Sequence, residues 1–168
     1  MNRRPLVFLA LTFLACTSEH ANSNIQRFSG DDPQMRAAID SARATIGIFL
    51  RRIARRPPAS QTYASIKLRF GDSLLGEHIW LDSVRFDGHR LHGQVNEDAV
   101  QVEGVRQGQW ASTRPDQISD WMIVDRGVLC GGFTIRVERS RLSNSERAAM
   151  DSGLAALGLR TWATRNSC

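Results

Sequence analysis

The hydrophobic pattern of this chain changes from a helical to a strand-like period between Ile53 and Ala64, and that change constrains the fold more than any other feature. Apolar residues between Met35 and Ile53 recur three and four residues apart, which is typical of one face of a packed helix. Between Ala64 and Phe70 they alternate with polar residues, which is typical of a strand with one wet face. The sequence therefore predicts a helix followed by a β region.

The ends of the first helix are indicated by residues with known end preferences. Asp32 is a good N-cap acceptor, and Pro33 suits the first helical position because its missing N–H needs no partner there. Pro57 and Pro58 disfavour helical geometry in the residue before them. We therefore expect the helix to end at about Arg56.

The β region contains several turn signals. A shift in apolar parity near Asp82 predicts a bulge in a strand from Glu77 to Phe86, and Asp87-Gly88 predicts a type I′ hairpin. Short strand patterns follow at residues 91–95, 109–113, 118–124 and 128–138. Ser143 and Glu146 form a capping-box pattern for a last helix that ends near Gly158.

These elements predict an α+β fold. An N-terminal amphipathic helix is followed by a curved, partly barrel-like antiparallel sheet of five or six strands and then by a C-terminal helix.

The N-terminus has the pattern of a secretory leader. Arg3 and Arg4 precede the apolar residues 5–14, a stretch too short to span a bilayer, and small residues then lead to Cys16. This resembles a bacterial lipoprotein leader, in which the cysteine carries lipid after cleavage, and Thr17 favours the outer membrane by the same resemblance. The alternative is a plain signal peptide and a soluble periplasmic protein.

The leader sets the expected domain limits. Residues 1–15 are predicted as signal peptide, residues 16–31 as a flexible polar tether, and residues 32–168 as one globular domain.

The remaining cysteines fit an oxidising compartment. If Cys16 carries lipid, Cys130 and Cys168 are left as an even pair, and we predict a disulfide between them. The alternative is that Cys130 is a catalytic nucleophile, which would need a base and a lowered thiol pKa. Its sequence neighbours supply neither, so a structural role is the better interpretation.

The charge pattern does not indicate a nucleic-acid partner. The formal net charge is +5, two of the arginines lie in the leader, and Lys67 is the only lysine. The one dense basic run, at residues 51–56, falls in the last turn of the predicted helix, where cations stabilise the helix dipole.

Several motifs resemble one bacterial family. They are Glu77-His78-Ile79-Trp80, residues 93–96, Gly108, Ile118-Ser119-Asp120-Trp121 and residues 131–136. Together they resemble the YegJ-like family, known as a domain of unknown function (2314), over about residues 35 to 150. The resemblance implies the fold but no established activity.

The candidate binding residues come from these motifs: Glu77, His78, Trp80, Asn96, Asp120 and Trp121. Strand alternation places Glu77 and His78 on opposite faces, so at most one of them shares a face with Asp120. Asp120 could accept the indole N–H of Trp80 as a structural tie, and His78 could bond a loop carbonyl. No ligand set for a metal, no phosphate-binding loop and no cofactor motif are found, so no metal or cofactor is expected.

Two functional hypotheses remain. The first is a non-catalytic module that binds an envelope protein or polymer, with Trp80, Trp110 or Trp121 and nearby arginines as anchors. The second is a hydrolase or transferase that acts on an envelope polymer with Glu77 or Asp120 as general acid or base. The second hypothesis requires these carboxylates to meet in an open cleft.

Overall fold

The structure, a computed structural model, describes residues 32–55 and 63–162 of the 168-residue chain. The helices are α1 (Pro33–Ala54), α2 (Phe133–Arg141) and α3 (Asn144–Ala156), and the strands are β1 (Tyr63–Gly71), β2 (Gly76–Phe86), β3 (Leu91–Val95), β4 (Trp110–Thr113), β5 (Asp120–Asp125) and β6 (Val128–Gly131). A short 3-10 helix at Pro115–Gln117 joins β4 to β5.

The six strands form one sheet in the order β4-β3-β2-β1-β5-β6, and every neighbouring pair is antiparallel. Four consecutive strands thus run from β1 to the edge strand β4, and the chain then crosses back to place β5 on the other side of β1. The predicted α+β fold, with an N-terminal helix, an antiparallel sheet and a C-terminal helix, is confirmed. The sheet is not closed into a barrel, because β4 and β6 lie at opposite edges.

The predicted caps of the first and last helices are present. The Asp32 carboxylate accepts the backbone N–H groups of Gln34 and Met35 at the start of α1. Ser143 and Glu146 form the complete capping box of α3, and Gly158 follows its end. The predicted end of α1 at Arg56 lies outside the described residues.

Helices pack against both faces of the sheet. On the α1 face, Ala42 and Phe49 of α1 join a core with Ile66, Ile79 and Trp121. The opposite face is called the α3 face here, because Leu154 of α3 packs there in a second core with residues of β5 and β6: Met122, Val124 and Leu129.

This second core corrects one expectation about β1. The alternating pattern predicted a strand with one wet face, but Ser65 and Lys67 on that face are both buried. The physical reason is that the face is covered by a helix, α2, whose Glu138 contacts Lys67, and by the second core.

The predicted bulge is confirmed, whereas the predicted hairpin type is wrong. The register of β2 against β3 shifts between Asp82 and Arg85. In the turn that follows, the Asp87 N–H donates to the Arg90 carbonyl, so the two central residues are Gly88 and the histidine after it. Gly88 alone of these two has a positive φ, of 101°, whereas a type I′ turn requires positive φ at both positions.

The predicted strand from Val128 to Glu138 is also wrong in its second half. β6 ends at Gly131, and α2 begins at Phe133. Gly131 and Gly132 have φ of 72° and 64°, left-handed values that glycine adopts without the steric penalty of a side chain. They turn the chain out of the strand, so the next residues form a helix.

Candidate functional site

Asp120 connects two of the sequence motifs. It is the first residue of β5 and is completely buried. Its Oδ1 accepts the backbone N–H groups of Trp121 (2.8 Å) and Phe133 (3.1 Å), and its Oδ2 accepts the backbone N–H and the hydroxyl of Thr134 (both 2.7 Å). The carboxylate therefore caps α2 from a neighbouring strand.

This cap from outside the helix follows from the local sequence. The residue at the N-cap position of α2 is Gly132, which has no side chain to accept the first free N–H groups of the helix. The chain approaches closely here, because a Cβ on Gly131 would lie 2.2 Å from the Trp121 carbonyl oxygen. The Gly132 N–H donates to that same oxygen (2.8 Å). The glycines thus bring the start of α2 against β5, where Asp120 meets it.

The protonation of Asp120 is set by two opposing effects. Burial is the larger effect, because a charged carboxylate loses its hydration, and the net result is that the pKa of Asp120 rises from 3.8 to about 6. The hydrogen bonds from Thr134 and Trp121 and the charge of Lys67 oppose this rise in pKa because they favour the ionised form. At neutral pH the group is ionised and accepts hydrogen bonds only.

Lys67 lies beside Asp120 and was not among the candidate residues. Its backbone pairs with Asp120 across β1 and β5. Its Nζ lies 2.9 Å from Glu138 Oε1 on α2 and 5.4 Å from the centre of the Trp80 ring. The available signal was that this is the only lysine in a chain otherwise rich in arginine.

Three of the six candidate residues and Lys67 lie in one row across the sheet. The Asn96 N–H donates to the Trp80 carbonyl (3.1 Å), Trp80 pairs with Lys67, and Lys67 pairs with Asp120. Asn96 Oδ1 is buried and has no hydrogen-bond partner. The predicted bond from the Trp80 indole to Asp120 is not found, since the backbone of α2 and the Thr134 hydroxyl occupy that carboxylate.

His78 lies on the α3 face with Asp120, as alternation predicted, but it does not contact the carboxylate. Its Nδ1 lies 2.7 Å from Ser119 Oγ, so its partner is a hydroxyl and not the predicted loop carbonyl. Partial burial and the positive charges of Lys67, Arg69 and Arg43 together lower the pKa of His78 to about 4, and burial is the largest cause. The ring is therefore neutral at pH 7.

Glu77 lies on the opposite face and has a different task. Its side chain is nearly buried, and its Oε2 accepts the backbone N–H groups of Val100 and Gln101 (2.9 Å each). These residues belong to the long loop between β3 and β4, residues 96–109. Glu77 thus fixes that loop to the start of β2.

Trp121 is a core residue. It is only 1% exposed, its indole N–H donates to the Ala42 carbonyl and to Thr45 Oγ1 (3.1 Å each), and its ring packs against Phe49 and Phe133. Its proposed role as a binding anchor is therefore ruled out by burial. Trp110 is the opposite case, since it is 46% exposed.

The predicted cysteine sites and the leader lie partly or wholly outside the described residues. Cys130 is buried in β6, but Cys168 and Cys16 lie outside the described residues, so the disulfide and the lipid attachment stay predictions. The signal peptide and the tether, residues 1–31, also lie outside them. Within residues 32–55 and 63–162, no helix is long and apolar enough to cross a membrane, and no three His, Cys, Asp or Glu side chains could together hold a metal ion.

Comparison with known proteins gives one family and two informative relatives. The family model described as "Uncharacterized protein conserved in bacteria (DUF2314)" matches residues 32–159. A "Putative ankyrin repeat protein NMB1133/NMB1171" of Neisseria meningitidis is 34% identical over 129 residues, which cover 73% of this chain and 51% of that protein. The "Uncharacterized protein YegJ" of Escherichia coli is 28% identical over 134 residues, which cover 79% of this chain and 86% of that protein.

These comparisons identify the chain at the level of its protein family. The chain spans about half the length of the Neisseria relative, and no solved structure matches it. The family match begins at the cap of α1 and ends just after α3, so it includes every helix and strand described above. The chain therefore belongs to the bacterial family described as "Uncharacterized protein conserved in bacteria (DUF2314)".

Proposed function

We propose that this protein is a non-catalytic binding module of the bacterial cell envelope, with an envelope protein or polymer as its partner. One observation supports this most directly. Both carboxylates that could act in acid–base chemistry are held by backbone N–H groups, on opposite faces of the sheet.

The geometry of these carboxylates counts against the hydrolase or transferase alternative. A general acid or base must come within hydrogen-bond reach of the proton that it moves. Asp120 has no exposed surface, and its two oxygens already accept four hydrogen bonds. Glu77 is held by two N–H groups on the other face and cannot pair with Asp120.

The raised pKa of Asp120 is the strongest argument for catalysis, and its cause weakens that argument. A carboxyl with a pKa of about 6 suits acid–base chemistry near neutral pH. Here the rise comes from burial, and the group that titrates has no path to a substrate. The imidazole of the Glu77-His78 motif does not assist Asp120 either, because His78 is neutral at pH 7 and is hydrogen-bonded to Ser119.

The exposed side chains supply the groups that binding uses. Trp110, Leu74 and Val100 are large apolar side chains that are 46%, 95% and 64% exposed. Trp is one of the residue types enriched at binding hot spots, together with Tyr and Arg. These exposed groups lie on β4 and on the two loops β1–β2 and β3–β4.

Site-specific photo-crosslinking in intact cells tests the binding function. A photoreactive residue placed at Trp110 or at Val100 should give discrete adducts with a partner. The same residue at Ser152, an exposed position on α3, serves as the matched control and should not. The absence of a position-dependent adduct would contradict the proposal. The proposal would also be contradicted if the wild type cleaves an envelope polymer and a folded Glu77→Gln variant does not.

The envelope location is proposed from the leader and has its own test. Cys16 would carry lipid and hold the domain at the outer membrane, and the alternative is a soluble periplasmic protein. Labelling with an alkyne fatty acid should mark the wild type but not Cys16→Ala. If the wild type takes up no label and fractionates as soluble periplasmic protein, the alternative holds.

A further inference from the structure

The two edges of the sheet are protected to different degrees. Beside β6, Thr161 bridges to Val128, and the Arg136 guanidinium donates to the carbonyls of Leu129 (3.2 Å) and Gly131 (3.1 Å). Proteins protect sheet edges in this way, because unpaired N–H and C=O groups are a template for another strand. The β6 edge is therefore already occupied by this chain's own groups.

Among residues 32–55 and 63–162, no residue forms a bridge outside the β4 edge, and β4 pairs with β3 alone. The Val95 N–H donates to the Gln109 carbonyl (2.9 Å), and this bond determines which residue pairs of β3 and β4 are hydrogen-bonded to each other. Because hydrogen-bonded pairs alternate in an antiparallel ladder, Trp110 and Ser112 direct their N–H and C=O groups away from β3. Within the described residues, one side chain reaches these groups: Arg90 Nη2 donates to the Ser112 carbonyl at 3.3 Å, near the upper limit for a hydrogen bond.

The side chains at this edge are aromatic and basic. The Arg85 guanidinium lies 4.9 Å from the centre of the exposed Trp110 ring, a cation–π distance. Arg90 reaches Ser112, and neither Arg85 nor Arg90 has a carboxylate partner in the described part of the chain. The nearby Asp87 is already bonded to the ring of a histidine and to two backbone N–H groups.

We propose that β4 is a docking edge that takes an extended, acidic segment of a partner protein as a seventh strand. This inference rests on the proposed binding function and names its surface and its partner. Strand addition supplies main-chain hydrogen bonds through Trp110 and Ser112, and side-chain contacts give the specificity. Because alternate residues of a strand share a face, one Asp or Glu of the segment would meet Arg85 or Arg90 while its backbone pairs with β4.

A peptide selection on the full-length protein tests the surface. Random nonapeptides displayed on phage are selected on the immobilised protein. We expect the enriched sequences to carry Asp or Glu at alternate positions and to lack proline at paired positions, since proline has no N–H for the ladder. The affinity of the best peptide should fall at least tenfold in Trp110→Ala and in Arg85→Glu.

The control and the second measurement separate a docking edge from a general charge effect. Arg114→Glu changes an exposed arginine that already pairs with Asp116, and it should leave the affinity within twofold. Hydrogen exchange at the Trp110 and Ser112 amides should slow when the peptide binds. A circular dichroism spectrum and a cooperative unfolding curve for each variant show that it is folded.

Several results would overturn this inference, and they differ from failure of the binding function. The docking edge would be rejected by enriched peptides without acidic residues, by equal peptide affinity in Trp110→Ala, or by unchanged hydrogen exchange at the β4 amides. The binding function would still stand if partners crosslink from Val100. A dimer with protected β4 amides in the absence of peptide would show that the occupant is a second copy. No enriched peptide together with no position-dependent crosslink would reject both proposals.

Discussion

Replacing Asp120 by asparagine tests whether this carboxylate is a structural cap, because the substitution keeps the shape and removes one acceptor atom. With the amide nitrogen in place of Oδ2, the Thr134 hydroxyl can turn to accept from it, and only the Thr134 backbone N–H loses its acceptor; in place of Oδ1, the nitrogen would deprive two backbone N–H groups of theirs. We expect the variant to fold and to be less stable than the wild type by about 2 kcal/mol at pH 7.5.

That magnitude is the cost of leaving a buried N–H group without an acceptor, about 1–3 kcal/mol. The pKa of about 6 for Asp120 already includes its hydrogen bonds, and it means that ionisation costs the folded state about 3 kcal/mol relative to the protonated carboxyl. The wild type therefore gains stability when the carboxyl is protonated, whereas the asparagine variant has no such group.

The pH dependence distinguishes burial from hydrogen bonding as the dominant effect on Asp120. Its folded pKa lies above its unfolded pKa, so protonation stabilises the folded state. The contribution is complete below about pH 3.8 and is lost as the pH rises through about 6. The stability difference between the wild type and Asp120→Asn should therefore widen by about 1.4 kcal/mol between pH 7.5 and pH 5.

Urea unfolding followed by tryptophan fluorescence measures both quantities. Asp116→Asn is the control, because Asp116 forms an exposed pair with Arg114 and such pairs contribute little. A difference that narrows toward acid would mean that the hydrogen bonds set the pKa below its usual value, which would refute the burial argument. Equal stability of the wild type and Asp120→Asn at both pH values would refute the capping role.

Three further predictions concern the same region. Gly131→Ala should lower the unfolding free energy by at least about 3 kcal/mol, and Gly88→Ala should lower it by about 1 kcal/mol, as measured by urea unfolding. Both glycines have positive φ, but of these two only Gly131 would place a Cβ against a backbone carbonyl. A double-mutant cycle with Lys67→Met and Glu138→Gln should give a coupling of about 1–3 kcal/mol, and additive effects would contradict a partly buried ion pair. The ring protons of His78 should titrate near pH 4 by NMR, and a midpoint above 6 would contradict the influence of burial and the nearby cations.

The elements that were predictable from the sequence are those whose signals are local. Asp32 before Pro33 defines the start of α1, Ser143 with Glu146 defines the start of α3, and the parity shift at Asp82 marks the bulge. Each of these patterns needs only a few consecutive residues, and its physical cause acts within the same segment.

The elements that sequence reasoning missed depend on contacts between distant segments. α2 has no cap in its own sequence, since its cap is Asp120, 14 residues before Thr134. Lys67 follows the pattern of a wet strand face and is buried because Glu138 of α2 covers it. A strand prediction that runs through residues 133–138 also removes Glu138 as the partner of Lys67, so the first error produces the second.

The positions of the motif residues indicate where a binding function should be sought. Asp120 and the glycines at the start of α2 hold a helix against the sheet, Glu77 holds the loop between β3 and β4, and Trp121 fills the core. These residues explain why the chain can be recognised from its motifs, because they determine the fold. Because of these structural roles each residue is buried or already hydrogen-bonded, so it is not available to contact a partner. The proposed binding function then places specificity in exposed residues outside the motifs. The β4 edge combines the exposed Trp110 ring, two arginines that have no carboxylate partner among the described residues, and backbone groups that β3 leaves open.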